Sequence, residues 1–203
     1  MAILVDQPLW TFRGEKWSHL VSDTSHRDLH EFANRLGIRR VGFQGDHYDL
    51  PARLVDAAID AGAVSVDSRV LVRRLREAGL RKPSSYQTWT AVLRRDGTDA
   101  AQAQELVATA LRSSEASQVL RDACSPLWAA MIDSGASLHQ LLVLHRPKQW
   151  AVAFDTDPQV DLEQVVAAGD ATPPHGANPE MWITRGNPRV AIDVLWTAVD
   201  DDA

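Results

Sequence analysis

The chain has 203 residues, 45% of them apolar and 24% charged, with a formal net charge of -6. Those values exclude wholesale disorder and leave room for one large domain or two small ones. No apolar run approaches the roughly 18 residues of a bilayer span, so no membrane partner is expected.

The first residues lack a basic start and reach Asp6 too early for a secretory signal. The single cysteine, Cys124, has no internal disulfide partner and reads as a small buried apolar residue. Together these predict a cytoplasmic protein. The charge is uneven. Residues 1–82 hold 13 Lys+Arg against 11 Asp+Glu, and residues 83–203 hold 8 against 16, which points to a domain boundary.

In chain order, residues 2–6 and 17–21 are short β-rich apolar runs. Leu29, Phe32, Ala33 and Leu36 recur at helical spacing over 24–36, with a stop at Gly37. Residues 40–44 read as a strand. A helix is predicted over 51–61, with Asp49 as N-cap, Pro51 in its first turn and Gly62 after its end. Residues 63–66 form a further strand. The last helix of this half covers 68–78, with Val70, Leu71, Leu75 and Ala78 on one side and Gly79 as its stop. The order predicts an α/β domain over 1–82, a small, mainly parallel sheet with helices.

Lys82-Pro83-Ser84-Ser85 reads as a linker. Residues 86–203 are expected to form an α+β domain with an antiparallel sheet. Its helices fall near 86–95, 100–112, 115–123 and 127–133. Strands over 141–145 and 150–154 flank a hairpin turn at Arg146-Pro147-Lys148-Gln149. A helix over 161–168, an irregular loop over 169–179 and a second hairpin from 181–184 and 190–198 complete it.

The densest polar run is Gly45-Asp46-His47-Tyr48-Asp49. Ile3-Leu4-Val5-Asp6, His19-Leu20-Val21-Ser22-Asp23 and Val64-Ser65-Val66-Asp67 also end apolar runs in an aspartate. Parallel strands would gather such carboxylates beyond one sheet edge, where ligands collect in open α/β folds. Asp6, His19, Asp23, His30 and Asp49 are therefore candidate ligands for a divalent metal. Mg, Mn and Zn all suit oxygen with imidazole, and zinc is favoured as imidazoles accumulate. His47 or Asp46 is the natural general base. A metal there would polarise a phosphoryl oxygen and activate water, which predicts hydrolysis of a phosphate-containing small molecule or nucleotide.

Plainer roles exist for the same residues. Asp23, Asp49 and Asp67 precede helices and suit N-caps. Asp6 suits a turn, and His26 and His30 flank an apolar helical stripe. A glycine-rich phosphate loop, a Gly-x-Ser-x-Gly elbow and paired cysteines are all missing from the sequence. A second reading is a binding module without chemistry. Arg69, Arg73, Arg74, Arg76, Arg81 and Lys82 crowd one helix, with Trp10, Trp17 and Tyr48 as stacking surfaces for a nucleotide or nucleic acid. The acidic second half disfavours nucleic acid as a general partner. A third is protein interaction, with edge hairpins joining a homo-oligomer.

Ile3-Leu4-Val5-Asp6, Trp17 to Thr24, Leu29-His30, Gly45 to Asp49, Ala61-Gly62-Ala63 and Leu71-Val72-Arg73, taken in order, resemble an uncharacterised family of bacterial and phage proteins, DUF4031. The resemblance covers about residues 2–81. It implies a single short domain and marks those residues, His30 among them, as the ones that matter. It implies no activity.

Overall fold

The computed structural model describes residues 2–81, 88–157, 178–186 and 188–198. The chain divides into two compact units, residues 1–88 and 89–203.

In the first unit, Ile3-Leu4-Val5 forms β1, and a short excursion through β2 (Trp10–Phe12) leads back along it as β3 (Glu15–Ser22). Arg13 and Gly14 both take positive φ, +51° and +80°, as a two-residue hairpin with native twist requires. Such a short return makes β3 antiparallel to both β1 and β2. A parallel return would need a crossover of a dozen residues or more. β4 (Tyr48–Pro51) is antiparallel to β3 as well. The parallel pairing is β1 with β5 (Val64–Ser65), which α1 (His26–Arg35) and α2 (Val55–Asp60) separate in sequence. The sheet is therefore mixed, and the expectation of a mainly parallel one is corrected.

Strand alternation gives the sheet two covered faces. Val5, Leu20, Tyr48 and Leu50 point to one face and pack with Leu29, Phe32 and Ala33 of α1 and Ala58 of α2. Leu4 and Val21 point to the other and meet Leu71 and Leu75 of α3 (Ser68–Glu77).

Two local expectations change here. Residues 40–42 make a 3-10 turn rather than a strand, and the strand that pairs with β3 begins at Tyr48. The alternation Tyr48-Asp49-Leu50 explains why, since it buries two large side chains on one face. Asp49 is thus a strand residue and not a helix cap; α2 starts after a 3-10 turn with Leu54 at its N-cap position and no side-chain cap.

The second unit is an antiparallel sheet in the order β6-β7-β8-β10-β9. Its strands are β6 (Thr90–Asp99), β7 (Ser137–Arg146), β8 (Gln149–Thr156), β9 (Glu180–Arg185) and β10 (Val190–Thr197). Helices α4 (Ala100–Leu111) and α5 (Ser117–Asp133) bury Val107, Leu111, Leu120 and Leu127 against Val143, Phe154 and Ile192. The segment expected as a helix over 86–95 is β6 from Thr90 onward, since β7 supplies a long-range partner for Thr90, Ala91 and Leu93. The two helices expected over 115–123 and 127–133 are one, and Pro126 lies inside it. Cys124 is fully buried. The helix expected over 161–168 and most of the loop after it lie outside the described residues.

Candidate functional site

The face that α3 covers only in part carries the polar chemistry. Asp6 follows Val5 at the end of β1, so alternation turns its side chain to the face of Leu4. His19 sits beside it on β3, and Asp49 is the register partner of His19 on β4. His47 comes from the tight loop before β4, where Gly45 turns the chain with φ +93° and the Gln44 amide donates to the His47 carbonyl at 2.9 Å.

Each histidine is held from behind. The His19 Nδ1 lies 3.0 Å from Asp6 Oδ2, and the His47 Nδ1 lies 2.6 Å from Asp46 Oδ1. Both carboxylates are buried, Asp6 at 3% exposure and Asp46 at 5%. An ionised carboxylate only accepts, so each imidazole donates from Nδ1. Asp6 also accepts from the His19 amide at 2.6 Å and the Ser68 hydroxyl at 2.7 Å. The Asp46 side chain reaches Arg81 Nη1 at 3.7 Å.

These contacts set the charges. Burial pushes the Asp6 carboxyl up, but the His19 ring, the His19 amide and Ser68 outweigh it and hold it below the ordinary aspartate value. Asp46 behaves alike: burial opposes ionisation, and the His47 hydrogen bond with the nearby His47, Arg81 and His26 charges more than offsets that. For His47, burial favours the neutral ring. Hydrogen bonds to Asp46 and Asp49 win, and its pKa is raised to about 9. His47 Nε2 stands 3.5 Å from Asp49 Oδ1, and the other Asp49 oxygen accepts from the Gln44 side-chain amide.

His19, His47 and Asp49 each offer one ligand atom, and these atoms lie within 4.8 Å of one another. The two imidazoles meet edge to face with centroids 5.2 Å apart. A cavity of about 220 Å³ opens beside them, lined by Asp6, His19, His47, Ser68 and Arg81 over an apolar floor of Val21, Leu71, Val72 and Leu75.

Of the seven residues read from the sequence, five gather here in two layers. His19, His47 and Asp49 form the inner group, and Asp6 and Asp46 stand behind the histidines. Asp23 is elsewhere, because antiparallel β3 carries its C-terminal end back to the start of β1. There it accepts from the Ala2 amide at 2.7 Å and pairs with Arg74, joining α3 to the sheet. Its helix-capping role falls to Ser25, whose hydroxyl accepts from Asp28. His30 is on α1, across the sheet, where its Nδ1 meets the Tyr48 hydroxyl at 2.9 Å and its ring packs on Phe43 at 4.6 Å. Asp67 caps α3, accepting from the Arg69 amide at 2.8 Å.

Sequence reasoning missed Ser68, Gln44 and, as a lining residue, Arg81. Ser68 had a signal, since the residue after an N-cap on a strand parallel to β1 must start its helix next to the end of β1. The other two depend on loop geometry.

No curated protein and no solved structure matches this chain. Among the described residues, no helix is long and apolar enough to cross a membrane. Residues 3–78, which hold every part of this site except Arg81, match the family described as Protein of unknown function (DUF4031), so the resemblance read from the sequence is shown over that span and the rest of the chain is unrecognised.

Proposed function

We propose that the first unit binds a divalent metal through His19, His47 and Asp49 and hydrolyses a phosphate-containing small molecule or nucleotide. The observation that carries this reading is the pair of carboxylates behind the pair of imidazoles. A histidine that ligates a metal almost always donates its other ring N–H to such a partner, which fixes the tautomer and raises ligand basicity. With each Nδ1 turned to its carboxylate, Nε2 is the nitrogen that serves the ion. Two nitrogens and one carboxylate favour Zn or Mn over Mg, which prefers an oxygen shell. An ion held by His19, His47 and Asp49 would polarise a phosphoryl oxygen and make a water nucleophilic near neutral pH.

The chain's own groups do the rest. Arg81 offers a charged donor to a phosphoryl group in the cavity, which Ser68 also lines. Asp46 acts through His47, which it orients. To hold an ion His47 would have to release the proton that its raised pKa retains, so metal affinity would rise with pH.

The test is metal analysis of the full chain purified without a His tag, with thermal unfolding in added Zn²⁺, Mn²⁺ and Mg²⁺. One ion per chain and a raised midpoint are expected, because a ligand at about 100 times its Kd adds about 2.7 kcal/mol. His19→Ala and His47→Ala should abolish both, along with phosphatase activity. Substoichiometric metal and no shift with any of the three ions would overturn the reading. Asp6→Asn and Asp46→Asn, which leave the inner group in place, should each weaken metal binding by roughly 10–100-fold.

The binding-module reading draws on a different observation. Arg69, Arg73 and Arg76 line a shallow depression of about 470 Å³ along the outer side of α3. Nucleotide affinity that falls steeply with salt and survives His47→Ala would favour it.

A further inference from the structure

The ribbon of β2 and β3 carries an aromatic surface that the metal reading leaves unused. Trp10 and Trp17 are register partners on the two strands. Their rings stack with centroids 5.8 Å apart and planes 24° from parallel. Trp10 also stacks on the His19 ring, 6.1 Å away at 29°. Trp17 and His19 are two apart on β3 and share a face, so two indoles and an imidazole make one row that ends at the inner group.

Core packing does not account for this row. Neither tryptophan belongs to the clusters that fill the two sides of the sheet. Both are half-buried, and their neighbours Leu9 and Phe12 are 71% and 52% exposed. As a cross-strand pair the two rings stabilise the ribbon, and each still leaves part of its surface to solvent. At the other end of the row, Arg81 and Ser68 line the cavity with His19 and His47. A half-buried aromatic group thus stands next to a cationic, hydrogen-bonding pocket.

We propose that the substrate is a nucleotide whose base packs against the half-buried Trp10–Trp17 pair while its phosphate lies in the cavity at His19, His47 and Arg81. This rests on the metal-assisted reading, which fixes the phosphate end. Stacking needs only a planar ring, so the site prefers nucleotides to sugar phosphates while discriminating weakly among bases. The geometry sorts substrates by the presence of a base.

The experiment compares adenosine monophosphate with ribose 5-phosphate on the full, metal-loaded chain. The ratio of kcat/KM for the nucleotide to that for the sugar phosphate should exceed one. It should fall at least about fivefold in Trp10→Leu and in Trp17→Leu, mainly through KM, and Trp10→Phe should restore most of it. Metal content per chain, measured on the same samples, separates loss of the ribbon from loss of the ion. A second readout needs no catalysis: the nucleotide should quench tryptophan fluorescence of metal-free protein more than ribose 5-phosphate does, and Trp10→Leu should remove the difference. A ratio unchanged in both leucine variants, or equal quenching by the two ligands, overturns the proposal. Wild type without metal or hydrolysis sinks the hydrolase reading alone, since the quenching comparison still decides this one.

Discussion

Asp23 and Cys124 are residues whose surroundings fix their chemistry. Burial raises the Asp23 carboxyl, but the Ala2 amide, Arg74 and Thr24 hold it below the ordinary value of 3.8. A depressed folded value means that the stabilisation is present above the unfolded pKa and disappears as pH falls through the folded one. Asp23→Asn should therefore lower the thermal midpoint at pH 7, with the gap to wild type narrowing as pH falls below 3.8 and through the lowered folded value. A gap that persists in acid would refute the charge-based account. Cys124 is pushed up to about 12 by complete burial, so it stays a thiol and should ignore thiol reagents at pH 8 until denaturant exposes it. At this scale the sequence was partly legible. The run from Asp46 to Asp49 announced itself by composition, and His19 and Asp6 by their places in apolar runs. The separate fates of Asp23 and His30 were not legible, because strand direction and the covering side of a helix are tertiary facts.

Among elements, those with local signals read best. α3 begins and ends where Asp67 and Gly79 place it, within a residue. Asp67→Ala should cost about 1 kcal/mol of stability in urea unfolding, the usual loss of an N-cap. β6 was misread because a strand paired through residues 38 to 55 positions away leaves little trace in its own spacing. Pro126 misled for the opposite reason. Proline ordinarily interrupts a helix, yet Leu120, Cys124, Leu127 and Met131 keep one buried stripe on both sides of it. Packing of that stripe holds α5 together across the missing backbone donor.

Across the molecule, each unit has its own apolar core, which is what lets a piece of chain fold alone. A fragment of residues 1–88 should unfold cooperatively by circular dichroism and keep the metal stoichiometry of the full chain. A fragment without a transition would show that the first unit depends on the rest. Within that unit, the fold class of strands with helices was legible and the strand directions were not. One consequence lies on the reverse of the sheet. His19 faces Asp49 only because Leu20, Tyr48 and Leu50 are locked into the greasy side, and a slip of one position would turn every side chain of β4 over. A mutational screen for lost metal should therefore recover hits at Leu20, Tyr48 and Leu50, none of which borders the pocket. The vulnerable part of this site is its back wall.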